Sequence, residues 1–114
     1  MSFFKSEVVR AEMTEISELQ EEIYNNVFEF PRMTKEEKIR HVDLLEKLLN
    51  KQKVLYTRLS LSDDPEAKEM KERIIQSASM MGLPPGVDMN VILNNMSKML
   101  EAMRQKIDNT GSDL

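Results

Sequence analysis

The chain has 114 residues, 20 acidic and 16 basic, for a net charge of −4, with one histidine and no cysteine. That length fits one domain able to bury roughly two-thirds of its unfolded surface, and 40% apolar with 32% charged residues is too apolar for a disordered chain and too charged for a membrane one. The missing cysteine excludes disulfides, thiol nucleophiles, iron–sulfur clusters and cysteine-ligated zinc, and the negative balance argues against non-specific binding to nucleic acid or anionic lipid.

No apolar run approaches the ~20 residues of a membrane span. The start, Met1-Ser-Phe-Phe-Lys-Ser-Glu, carries Lys5 and Glu7 and lacks a small-residue cleavage site, so it does not read as a signal peptide. The expected location is the cytoplasm.

Apolar residues recur at helical spacing and turn residues cluster at three places, which predicts four helices, over about 6–30, 34–60, 65–81 and 88–108. In the first, Val9, Met13, Ile16, Ile23, Val27 and Phe30 form a stripe that Leu19 widens, and Pro31 ends it. Thr34-Lys-Glu-Glu37 is a capping box opening the second helix, whose seam is Ile39, Val42, Leu45, Leu49, Tyr56 and Leu59, broadened into a face by Leu44, Leu48 and Leu55.

Asp64 followed by Pro65 opens the third helix as N-cap and first helical residue. Gly82 suits its left-handed end, and Leu83-Pro-Pro-Gly86 is a stiff turn. Asp88 can cap the fourth helix, whose stripe is Met89, Ile92, Leu93, Met96, Met99, Leu100, Met103 and Ile107. Residues 110–114 read as a flexible tail beyond a single domain over 1–109.

The first two helices, each about 37 Å long and joined by a short link around Arg32, should fold back on one another in coiled-coil fashion. The expected fold is all-α: a long antiparallel helical hairpin plus two shorter helices. Charge supports that pairing, because residues 1–30 carry seven acids and two bases whereas residues 31–61 carry eight bases and four acids. Antiparallel register sets Glu22 near Arg40, Glu18 near Lys47, Glu15 near Lys51 and Glu12 near Lys53.

Catalytic equipment is missing. His41 lacks the Glu-x-x-His spacing of carboxylate-bridged bundles, since Lys38 stands three residues before it. Glu15, Glu18, Glu22 and Glu29 share a helix side with no second ligand set to form a cation cage. Three glycines make no phosphate loop or dinucleotide fingerprint. No catalytic residue, cofactor, metal ligand or small-molecule substrate is expected.

Two surfaces remain as binding candidates. Arg40, Lys47, Lys51 and Arg58 form a basic stripe that could contact phosphates, although helix one can neutralise it and few aromatics are at hand to stack bases. Seven of the ten methionines lie in the second half, and Met89, Met96, Met99 and Met103 fall on the apolar stripe of helix four. That stripe can be core, self-association interface or an adaptable peptide groove. Phe3 and Phe4 can anchor in a neighbouring subunit or staple this chain's own helix.

Three segments, Met1-Ser-Phe-Phe-Lys-Ser-Glu-Val-Val, Leu45-Glu-Lys-Leu-Leu followed by Arg58-Leu-Ser-Leu-Ser-Asp-Asp64, and Met81-Gly-Leu-Pro-Pro before a methionine-rich last helix, resemble a small domain family of unknown function. The resemblance spans nearly the whole chain in the same order. It implies a setting in cyanobacteria and the T4-like phages that infect them, and it supplies no active-site residues. Cyanobacterial members have a more basic and aromatic second helix and a single proline near the Leu83 turn, so the divergence fits a phage version.

The sequence therefore predicts a non-catalytic helical interaction or regulatory protein, forming a homo-oligomer with a dimer favoured, and acting in a phage setting on a host protein. A nucleic-acid-associated regulator using the helix-two stripe and a structural virion component are the alternatives.

Overall fold

The computed structural model describes residues 2–83 and 88–110, and every regular element among them is helical. A 3-10 turn at Phe3–Lys5 leads into α1 (Glu7–Asn26), and a 3-10 segment at Val27–Arg32 connects it to α2 (Lys35–Leu61); α3 (Pro65–Met80) and α4 (Met89–Thr110) follow. No helix among the described residues is long and apolar enough to cross a membrane.

Local chemistry sets most helix ends. Ser6 caps α1 by accepting from the Val9 amide at 3.5 Å. The capping box closes in both directions, with the Glu37 amide donating to Thr34 Oγ1 at 3.2 Å and the Thr34 amide donating to Glu37 Oε1 at 3.5 Å. Asp64 accepts from the Glu66 amide at 3.0 Å with Pro65 at the first helical position. Gly82, at φ +97°, takes the left-handed position after α3, and the Leu83 amide bonds back to the Ala78 carbonyl while the Gly82 amide bonds to Ser79. These two bonds are the Schellman pair that closes a helix on glycine. Asp88 caps α4 by accepting from the Asn90 amide at 2.9 Å.

Two expected boundaries move. The first α-helix ends at Asn26, four residues short of Phe30, and the chain continues as a 3-10 segment that contains Pro31. Proline lacks the amide an α-helix needs and its ring collides with the carbonyl four residues back; ending the α-helix at Asn26 keeps Pro31 out of its hydrogen-bond ladder. Asn26 assists, donating its side-chain amide to the Glu22 carbonyl at 2.8 Å. At the other end α4 runs on through Thr110, so the supposed tail is helical at its first residue; residues 111–114 and the Pro84-Pro85-Gly86 turn lie outside the described residues.

α2 is the spine, and α1, α3 and α4 each make their main interhelical contacts with it. Val42, fully buried, sits with His41, Leu49, Tyr56 and Leu59 on its inward face. Val9, Ile16, Leu19 and Ile23 bury one stripe of α1 against it at helical spacing. Leu49, Tyr56, Leu59, Ala67 and Leu93 form the core cluster joining α2, α3 and α4.

The result is long and thin, 54 × 32 × 20 Å, with a radius of gyration of 16.5 Å where a compact chain of this length has about 13 Å. Its accessible surface is 8353 Å², against about 6,500 Å² for a typical monomer of this mass.

Candidate interaction surface

The N-terminal aromatics belong to the chain's own core. The Phe3 backbone amide donates to the Asp64 carboxylate, which holds the 3-10 turn against the start of α3. The two rings meet edge to face with centroids 5.1 Å apart, and both pack on the core cluster beside Met70, Ile74 and Met89. They wall one side of a half-open apolar cavity of about 400 Å³, completed by Met13 and Ile16 of α1 and by Gln52 and Leu55 of α2. The Asp64 carboxyl is held below the usual carboxylate range, first by the Phe3 amide and then by the Glu66 amide. Nothing in the sequence pairs positions 3 and 64, because each has a sufficient local reading by itself.

The basic stripe of α2 is largely turned to α1. Lys51 pairs with Glu15, and Arg58 Nε donates to Glu12 Oε1 at 2.8 Å. Glu15 lies below the usual carboxylate range because of its hydrogen bond and charge contact with Lys51, helped by Lys47. Of the four sequence-expected pairings, Glu15–Lys51 forms. Glu12 takes Arg58 in place of Lys53, for Arg58 stands two turns from Lys51 on the same side of α2, whereas Lys53 faces α4 and bonds Ser97 Oγ at 2.7 Å. Glu22–Arg40 and Glu18–Lys47 do not close to ion pairs among the described residues, and Arg40 is exposed.

His41 is buried against the Phe30 ring, centroids 5.4 Å apart, and burial lowers its pKa from the ordinary histidine value. Lys38 lies over the outer face of the same ring at 5.6 Å. Among the described residues no three histidine or carboxylate side chains gather into a metal-holding group.

α4 is divided between two stripes. Leu93, Ser97, Leu100 and Arg104 face α2: Leu93 is buried, Leu100 packs on the core, and Ser97 and Arg104 make polar contacts. Arg104 grips α2 by two carboxylates, Glu46 at 3.1 and 3.3 Å and Asp43 beside it. The neighbouring stripe, Met96, Met99 and Met103, is exposed, Met99 to 69%. With Leu45, Leu48, Leu49 and Gln52 of α2, these methionines line a shallow apolar groove of about 230 Å³. Met89, the fourth methionine singled out from the sequence, is instead half-buried on the core cluster.

A second apolar surface escaped the sequence reading. At the tip of the hairpin Tyr24 is 75% exposed and Phe28 85% exposed, with Val27 partly exposed between them. Phe30, two residues on, is folded inward onto His41. The signal that could have found the tip is spacing: Tyr24 and Phe28 each stand one residue after a member of the apolar stripe, Ile23 and Val27, about 100° round the helix from the buried face.

No curated protein and no solved structure matches the chain. A family model described as a domain of unknown function, DUF1825, matches residues 1–107, and the chain belongs to that family.

Proposed function

We propose that the chain is a non-catalytic helical protein–protein interaction or regulatory protein that associates with copies of itself and presents the hairpin tip to a protein partner. The observation that carries this reading is the exposure of Tyr24 and Phe28 together at the end of a long hairpin. Large aromatic side chains dominate binding energy at protein interfaces, and two of them left in water at helical spacing are a surface for which folding of this chain has no use.

The resemblance to a family shared by cyanobacteria and their T4-like phages points to a host protein as the partner, its activity redirected, with a virion component as the alternative. The site of action on this reading is the cytoplasm, that of the host cell if the chain is phage-encoded. The stripe of Arg40, Lys47, Lys51 and Arg58 gives little support to nucleic-acid binding, since Lys51 and Arg58 are engaged by Glu15 and Glu12 and cations already neutralised release few counterions from a phosphate backbone.

Affinity capture from a cyanobacterial lysate, with the native chain and a Tyr24→Ala/Phe28→Ala variant as paired baits, tests the reading. A protein retained by the native bait and lost from the variant is the expected result. Equal retention by both baits, or retention of nothing by either, overturns it.

A further inference from the structure

α4 satisfies two helical repeats at once. Leu93, Ser97, Leu100 and Arg104 recur at steps of four and three and serve the contact with α2; Ile92, Met96, Met99 and Met103 recur at steps of four, three and four on the adjoining side. The second set has the a/d spacing of a helix-pairing seam. Its three methionines are all exposed and rim the groove above Leu45, Leu48 and Gln52.

We infer that this seam is covered by a second copy of the chain, the α4 helices of the two copies pairing about a two-fold axis near Met99, with each methionine ridge lying in the other copy's α2–α4 groove. This specifies the self-association half of the proposed function and leaves the hairpin tip out of it.

Area argues for a second copy. The chain exposes about 1,900 Å² more surface than a typical monomer of its mass, and a stable interface needs about 800 Å² from each partner. The groove is also self-complementary in kind, because it is apolar on both walls and bears a ridge along one of them. Two copies related by a two-fold axis offer each other the same ridge and the same groove. Packing ridge into groove supplies a second layer over the apolar side that α2 and α4 share. Methionine suits such a contact, being unbranched and able to fill an irregular gap.

Gln52 sharpens the geometry. It lies where the groove meets the larger apolar cavity and lines both, a single amide in an otherwise apolar strip. A polar residue at such a place favours one register over slipped alternatives.

The absence of cysteine makes the test direct. The native chain is expected to scatter light as a dimer, twice its 13.3 kDa mass, at micromolar concentration. Met99→Glu, which sets two carboxylates close to the axis, is expected to weaken dimerisation at least ~10-fold with helical circular dichroism retained. Met99→Cys is expected to give a covalent dimer on mild oxidation, whereas Glu101→Cys, exposed and about 160° round α4 from Met99, is not. The cysteine pair decides the matter even if the glutamate variant fails to fold. A native chain that stays monomeric to ~100 μM, or a Glu101→Cys chain that cross-links as well as Met99→Cys, overturns the inference. Either result leaves the tip reading standing if capture still depends on Tyr24 and Phe28; loss of capture with dimerisation intact has the opposite meaning.

Discussion

The Phe3 backbone amide donates to the Asp64 carboxylate across 61 positions of sequence, and the same carboxylate caps α3 through the Glu66 amide. One side chain therefore fixes both the start of a helix and the docking of the N-terminal turn. Asp64→Ala is expected to lower the melting temperature by about 5 °C, the order of shift produced by losing a helix cap in a chain of this size, and to release Phe3 and Phe4 from the core. The folded Asp64 pKa is depressed, so its contribution is fully present above the unfolded value of ~3.9 and is lost as pH falls through the lower folded value. Thermal melts of the native chain and the alanine variant should converge as the pH is lowered through that window.

Arg104 joins α4 to α2 by bonding Glu46 and Asp43 together. Lysine carries the charge but cannot form the planar two-pronged contact. Arg104→Lys is expected to lower stability by up to about 1 kcal/mol, since the site is partly solvated. Hydrogen exchange should quicken along the C-terminal half of α4 and stay unchanged in α1.

His41 is the single histidine and is buried with a lowered pKa. A base whose folded pKa lies below its unfolded value of ~6.5 stabilises the fold fully above that value. As pH drops the unfolded chain takes up the proton first, and stability falls until the folded pKa is passed. Urea midpoints are therefore expected to drop between pH 7.5 and 5.5 for the native chain and to change much less for His41→Leu. The one imidazole signal in a proton NMR titration should report the depressed folded pKa directly.

Glu15 and Lys51 pair across the hairpin. Lys51→Glu is expected to destabilise the chain by apposing like charges, and adding Glu15→Lys should restore much of the loss. A double-variant cycle measured by urea unfolding in low and high salt checks this, with the coupling shrinking at high salt because the pair is solvated.

Four helices, their order and most of their ends were legible in the sequence because each depends on neighbours within a few residues. The capping box at Thr34 and Glu37, the Asp64-Pro65 start and the Gly82 stop are local hydrogen-bond and backbone problems with local solutions. The Glu15–Lys51 pairing was legible as well, since charge and antiparallel register narrow the choice between two facing helices. Arg58 in place of Lys53 was not, because both lie within reach of Glu12 along the axis and only rotation of α2 about its axis separates them.

By itself, then, the sequence determined an all-α chain with a long hairpin, its caps and its complementary charges. Tertiary structure decided which of two overlapping apolar stripes α4 buries, leaving Met96, Met99 and Met103 outside, and which aromatics the hairpin tip exposes. Both depend on the rotation of a helix about its own axis, and that is set by the summed contacts of distant segments: Arg104 with Asp43 and Glu46, Lys53 with Ser97, and Phe30 with His41. Helical spacing records that a face is apolar; what covers that face is settled only when the other elements are in place.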